Sequence, residues 1–259
     1  VTWKCLGESV AGTSHRATGT PCQDANRLAV LDHPGGPVLV AVVADGAGSA
    51  ALAELGAQTA CDALLDAARD AAMRRRSLDS FEPADVRAWF LAAREELYRV
   101  AAATGVEPRD LACTALLAVV GPGHALFGQV GDGAAVVGTD TTFTPIFWPE
   151  PAEYVNVTDF LSDDDLEARL LLGVLHEAFD TVALLTDGLQ RLALDYAKRC
   201  GHPGFFGPLF APLRDGEPEA LRGPLRALLD SAKINDRTDD DKTLVLATRG
   251  RHAPADRRE

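Results

Sequence analysis

Residues 37–48 read P-V-L-V-A-V-V-A-D-G-A-G. Pro37 to Ala44 is continuous, apolar and rich in β-branched side chains, so it reads as a strand buried on both faces. It stops at Asp45-Gly46. Downstream, Leu52, Leu55, Thr59, Ala63, Leu64, Ala67 and Ala71 recur at helical spacing and predict a helix from about Ala50 to Arg75. A second helix is expected from Pro83 to about Thr104, with Val86, Trp89, Phe90, Ala93, Leu97 and Val100 on its apolar face. Pro83 suits a first helical position, where a missing N–H costs nothing. The linker Arg74 to Glu82 is polar and expected to be exposed.

Working outward, Asn26 to Leu31 is a short, partly alternating strand. Leu111 to Val120, Ala125 to Val130, Ala134 to Gly138, Thr141 to Trp148, Thr181 to Thr186 and Thr243 to Thr248 read as further strands. Val130-Gly131-Asp132-Gly133-Ala134 reads as a tight hairpin, with glycine free to take positive φ. Leu189 to Arg199 and Glu217 to Ser231 read as helices, and Gly201 to Leu213, rich in Gly, Pro and Phe, as a packed loop. Strict strand–helix alternation is missing. That favours an α+β chain of antiparallel sheets flanked by helices over a parallel doubly wound sheet. All strong runs feed one domain, residues 1–250, and the charged tail 251–259 is expected to be disordered.

The chain has 259 residues, long enough to bury a real core. Its 47 % hydrophobic and 24 % charged residues exclude collagen-like and wholly disordered classes. A net charge of −13 argues against nucleic acid or an anionic membrane as partner through bulk charge. The five cysteines are odd in number and form no C-x-x-C pair, which fits a reducing cytoplasm better than a disulfide framework or zinc site. None is followed by an arginine six residues on, as a cysteine phosphatase loop would require. No apolar run reaches the roughly 18 residues of a spanning helix. Val1-Thr2-Trp3-Lys4 does not read as a signal peptide.

The chemistry lies in the aspartates. Asp45 and Asp187 each end a buried-looking strand and precede Gly; Asp132 sits in G-D-G; Asp24 precedes a strand, as do Asp239, Asp240 and Asp241. Carboxylates at the ends of apolar strands risk costly desolvation. If the ends converge, a hard divalent ion, Mg²⁺ or Mn²⁺, is the natural compensation. Any single Asp-Gly is equally a turn dipeptide, so the case rests on the set.

That set resembles the metal-dependent serine/threonine protein phosphatases of type 2C, particularly bacterial members. The resembling motifs, in family order, are Q-D-A at 23–25, A-D-G-A-G at 44–48 with E-L-G-A at 54–57, A-C-T-A-L at 112–116, G-Q-V-G-D-G at 128–133, L-L-T-D-G-L at 184–189 and T-D-D-D-K-T-L-V at 238–245. The resemblance implies a four-layer α-β-β-α sandwich, two antiparallel sheets flanked by helix pairs. It implies that Asp45 bridges two metals and the Gly46 carbonyl binds one. Asp187 and Asp240 would be further ligands, Asp24 would act on a metal directly or through its water, and Asp132 would support a weaker third ion. It implies hydrolysis of phosphoserine and phosphothreonine in proteins by a metal-activated water, a partner kinase, and a monomer.

Three departures stand out. Gln23 replaces the frequent Glu before the first Asp. Where many relatives carry a phosphate-anchoring Arg, this chain has His15 and then Arg16. His15 would bind phosphate as a cation or protonate the leaving group, or else be a capping residue; Arg16 would replace the anchor. Arg191 stands where some relatives have Asp, against a third metal. The departures keep open a catalytically weak relative acting as a regulatory binding module. A metal hydrolase of small phosphoesters is a third reading. Phe205, Phe206 and Phe210 read as loop core or as a substrate-facing flap, and His176-Glu177 as structural.

Overall fold

The computed structural model describes residues 2–74, 80–139, 141–149, 158–177 and 179–249. Two five-stranded sheets form its centre. One contains β1 (Trp3–Val10), β6 (Ala134–Gly138), β7 (Phe143–Pro145), β9 (Thr181–Leu185) and β12 (Lys242–Arg249), in the order β1-β12-β9-β6-β7. The other contains β2 (Asp24–Leu31), β3 (Val38–Asp45), β4 (Ala115–Val120), β5 (Ala125–Val130) and β8 (Leu171–Leu175), in the order β2-β3-β4-β5-β8. Every pairing in both is antiparallel.

The two-faced burial read from residues 37–44 explains the layering. Along β3, Val38, Val40, Val42 and Ala44 pack toward α2 (Ala53–Arg74) and α3 (Pro83–Thr104), against Cys61, Leu64, Phe90 and Leu97. The alternate residues Leu39, Ala41 and Val43 meet Val182, Leu184, Val245 and Ala247 of the facing sheet. Along β12, Leu244 and Leu246 turn outward to a third core with Phe206, Phe210, Leu213 and Leu229. Period-two alternation in strands with no polar face thus yields three cores and four layers, α-β-β-α.

Helix α3 spans the predicted residues. The Asp85 carboxylate accepts the Glu82 N–H at 2.9 Å, and the chain leaves the helix at Gly105 with φ +72°. The linker between α2 and α3 and the tail 251–259 lie largely or wholly outside the described residues.

Five readings are corrected. Val130 to Ala134 is no hairpin: β5 and β6 belong to different sheets, and the segment carries the chain across the sandwich, with Gly131 at φ +90°. Residues 201–213 are mostly helical, in α6 (Pro203–Asp215). Pro203 opens that helix, and Phe206, Phe210 and Leu213, at i, i+4 and i+7, are buried under the sheet. That apolar face outweighs the lost hydrogen bonds of Pro208 and Pro212. The phenylalanines Phe206 and Phe210 are therefore core. Residues 189–199 hold only the short α5 (Gln190–Ala193) before the ribbon of β10 (Leu194–Asp195) and β11 (Cys200–Gly201). The strand from 111 begins later, at Ala115, because Pro108–Leu111 forms a 3₁₀ turn, and the strand from 141 shrinks to β7. Strands β1 and β8 went unread. The remaining helices are α1 (Thr13–Thr18), α4 (Leu166–Arg169), α7 (Pro218–Leu229) and α8 (Ala232–Asn235). Among the described residues no helix is long and apolar enough to cross a membrane.

Candidate active site

At one end of the sandwich the strand termini surround a cleft of about 240 Å³. His15, Asp45, Gly46, Asp132, Asp187 and Asp240 line it. Asp24 lies behind this wall, directly opposite Asp45 in the β2–β3 register. Its Oδ2 accepts from the Thr186 hydroxyl at 2.8 Å, and that hydroxyl accepts the Thr243 N–H at 3.0 Å. One threonine thus ties together three separate aspartate motifs.

Asp45-Gly46 and Asp187-Gly188 are not ordinary turns. Neither Gly46 nor Gly188 has positive φ. Glycine is required by close approach: a Cβ at Gly46 would meet the Ala53 carbonyl at 2.5 Å, and one at Gly188 the Asp241 carbonyl at 2.0 Å. The chain is pressed together here to bring carboxylates close. Asp45 is held from both sides by Thr114, whose Oγ1 accepts the Asp45 N–H at 3.0 Å and whose N–H donates to the Asp45 carbonyl at 2.8 Å. Asp132 is set by Gln129, whose Nε2 donates to the carbonyls of Gly131 and Gly133 at 3.0 and 2.9 Å. Thr158 donates to Asp132 Oδ2 at 3.0 Å.

Crowding shifts these acids upward. Burial pushes Asp24 to about 8, against two threonine hydrogen bonds that lower it, with Asp241 and Asp187 adding repulsion. Burial, then Asp132 and Asp240, raises Asp187 to about 6. Asp45 is driven well up by burial and by Asp24 and Asp187, and it lies close enough to Asp187 to share a proton. Burial also raises Asp240, at the cleft rim. Asp24 Oδ1 and Asp187 Oδ1 are buried without a hydrogen-bond partner. Among the described residues no three His, Cys, Asp or Glu side chains meet at one point as a finished cage. Hard divalent ions that keep several waters need none. Orphaned carboxylate oxygens and raised acids around one cleft fit such ions.

A match to the family model for protein phosphatase 2C spans residues 11–230. The chain belongs to the protein phosphatase 2C family. It is 34 % identical over 254 residues to serine/threonine-protein phosphatase 3 of Escherichia coli (strain K12), covering 95 % of this chain and 98 % of that protein. Among solved structures it resembles the serine/threonine phosphatase Stp1 of Staphylococcus aureus, with TM-score 0.64 and 16 % identity over 97 % of this chain and 96 % of that one. A bacterial serine phosphatase superposes with TM-score 0.63 and 17 % identity over 96 % and 99 % of the two chains. At such identities these two show the shared fold.

Within this phosphatase 2C fold the N-terminal candidates separate. His15 lines the cleft, its Nδ1 2.9 Å from Asp241 Oδ1. Arg16 points elsewhere: it is exposed, ion-paired with Asp230, and absent from the cleft wall. The expectation that Arg16 anchors phosphate is therefore not supported by its placement. The residue missed as a keystone is Asp241. It is buried, and its two oxygens also accept the N–H groups of Gly12 and Gln23, each at 2.6 Å. Its position in T-D-D-D-K-T was visible, but bonds to residues more than two hundred positions away were not. Gln23 lines the cleft with a buried, unpartnered Oε1. His176 is structural, its Nδ1 3.2 Å from that of His124.

Proposed function

We propose that this protein hydrolyses phosphoserine and phosphothreonine in other proteins, using divalent Mn²⁺ or Mg²⁺. The observation that carries this reading is the convergence of Asp45, Asp132, Asp187 and Asp240 on one cleft, with Asp24 behind them and two buried carboxylate oxygens lacking partners. The carbonyl of Gly46 and the carboxylates of Asp45, Asp187 and Asp240 would hold two ions, with Asp24 supporting them and Asp132 serving a weaker third. When bound, such ions lower the pKa of water and neutralise charge on a phosphate.

The chain's own groups supply orientation and proton handling. Thr114 holds the Asp45 backbone from both sides, which leaves its carboxylate free, and Thr186 bonds one oxygen of the Asp24 carboxyl and leaves the other free. Asp241 holds His15 through Nδ1, which leaves Nε2 as the nitrogen for substrate. From the cleft wall His15 would give a proton to the departing serine or threonine oxygen, or bind the phosphate as a cation. The partners are phosphorylated proteins and, by the same logic, the kinase that modifies them. The catalytic domain is taken as residues 1–250, acting as a monomer in the cytoplasm.

The test is hydrolysis of p-nitrophenyl phosphate and of phosphoserine and phosphothreonine peptides, with added Mn²⁺ or Mg²⁺ and after chelation. Turnover of both substrates that EDTA abolishes is expected. Full turnover in excess EDTA would overturn the metal reading, and turnover of small phosphoesters alone the protein-substrate reading. A second reading, a catalytically weak module that binds phosphoproteins, draws on Gln23 in place of an acid and on the displaced Arg16. It predicts phosphopeptide binding without turnover.

A further inference from the structure

The catalytic cleft continues into a second one of about 450 Å³, and Asp132, Asp187 and Asp240 form the shared wall. Its far side is different in character. Arg191, Arg237 and Tyr196 line it, with Gln190, Thr238 and one further acid, Asp239, whose exposure to solvent screens its charge. His15, Asp45 and Gly46 are not part of it. Most surface arginines on this acidic chain are already engaged: Arg16 with Asp230, Arg27 with Asp62, Arg222 and Arg226 with Glu8. Among the described residues neither Arg191 nor Arg237 has a carboxylate within ion-pair reach, and both are exposed.

Their placement is tied to the catalytic aspartates. Arg191 lies four residues after Asp187, at the start of α5, where the intervening 3₁₀ turn fixes its direction. Arg237 lies three residues before Asp240, its N–H bonded to the Ile234 carbonyl at 2.9 Å. Tyr196 donates to Gln190 Oε1 at 3.2 Å, and Gln190 Nε2 donates to the Asp132 carbonyl. Tyr196 also packs edge-on against Trp148, ring centroids 5.4 Å apart. The shelf is thus braced against the cleft.

We propose that Arg191 and Arg237 determine substrate preference, by binding an anionic group that flanks the target phosphoresidue on the substrate chain. This rests on the phosphatase reading above. A target phosphate must sit beside Asp45 and Gly46, which the second cleft lacks, so the arginines serve a neighbouring part of the peptide. Asp132, Asp187 and Asp240 would be engaged with ions on the catalytic side, which reduces their repulsion of an anion here. Guanidinium groups match carboxylate and phosphate oxygens in geometry. The flanking group is therefore an Asp or Glu side chain or a second phosphate.

The experiment compares kcat/KM, with Mn²⁺, on phosphothreonine peptides that differ only in the flank: neutral, glutamate, or a second non-hydrolysed phosphonate. Wild type is expected to prefer one or both anionic flanks by about tenfold, the factor for roughly 1.4 kcal/mol. In Arg191→Gln/Arg237→Gln the ratio should fall toward one, and in Arg191→Glu/Arg237→Glu a lysine flank should become the preferred one. Preference for the phosphonate alone would assign the shelf to doubly phosphorylated substrates, and for glutamate to acidic ones. Absence of any preference in wild type, or its persistence in the double variants, overturns the proposal. So does a fall in p-nitrophenyl phosphate turnover as large as the fall on peptides, which would make these arginines anchors of the target phosphate. If no substrate turns over, the phosphatase reading falls. The same peptides are then scored by fluorescence anisotropy, where loss of the anionic preference in the double variants upholds the shelf and its persistence rejects it.

Discussion

Asp187 and Asp45 crowd each other at the end of two apolar strands, and the crowding costs stability that only bound cations or protons relieve. Asp187→Asn removes one charge while keeping shape. It should lower kcat at least a hundredfold and weaken Mn²⁺ binding in calorimetry, while metal-free thermal stability stays equal or rises; a wild-type rate would reduce the T-D-G segment to a turn. His15 and Arg16 are separated by the same logic of placement. His15→Ala should lower kcat by about 10²–10⁴ if it is the general acid, or raise KM if it binds phosphate. Arg16→Ala should change both by less than about twofold, and a large KM rise there would reassign the anchor. Asp241 accepts from three donors, Gly12 N–H, Gln23 N–H and His15 Nδ1, with two oxygens. An amide offers one oxygen and turns a donor toward a donor. Asp241→Asn should therefore cost about 1–3 kcal/mol in urea unfolding and reduce kcat, and an unchanged midpoint would show that the loop does not depend on that carboxylate. The aspartates themselves were legible in the sequence because acids at ends of apolar strands are conspicuous. Thr114, Gln129 and Thr186 were not, because an ordinary polar side chain gains its role from a partner such as Asp24, 162 residues from Thr186.

Element by element, legibility followed burial on both faces. β3, β4, β9 and β12 were readable because each buries two faces, and α2 and α3 because each carries one clean stripe. The segment 130–134 was misread because a hairpin and a crossing between sheets use the same glycines, and only the partner strands tell them apart. α6 was misread because Pro208 and Pro212 argue locally against a helix, whereas Phe206, Phe210 and Leu213 argue for it through tertiary packing. That balance can be measured. Phe206 is fully buried, against Phe143 at 5.1 Å and Phe210 at 6.3 Å between ring centroids. Phe206→Ala should cost about 3–5 kcal/mol of unfolding free energy. Little or no destabilisation would mean that the outer helix layer is held by something other than its apolar face.

For the molecule as a whole, the site makes stability depend on pH in an unusual direction. Most folded proteins lose stability toward acid because their carboxylates are better off charged in the native state. Here Asp24 is raised to about 8 and Asp187 to about 6, and Asp45 and Asp240 are raised as well, chiefly by burial and mutual repulsion. The folded state binds these protons more tightly than the unfolded chain, in which an aspartate titrates near 3.9. Between about pH 4 and 8 the native state therefore holds more protons, and unfolding free energy falls as pH rises. The contribution of these acids is fully present below the unfolded value and is lost as pH passes through 6 and then 8. In EDTA the melting temperature is expected to drop from pH 5 to pH 8, and Mn²⁺ or Mg²⁺ should restore most of it at pH 8, where the carboxylates are charged and free to bind. Asp24→Asn supplies the control: its amide oxygen still accepts from Thr186, but it has no proton to lose, so its metal-free profile should be flatter than that of wild type. A wild-type melting temperature that stays level or climbs over this window in EDTA, or an Asp24→Asn profile of unchanged slope, would show that the acids around this cleft are relieved by the fold itself and have no need of a cation.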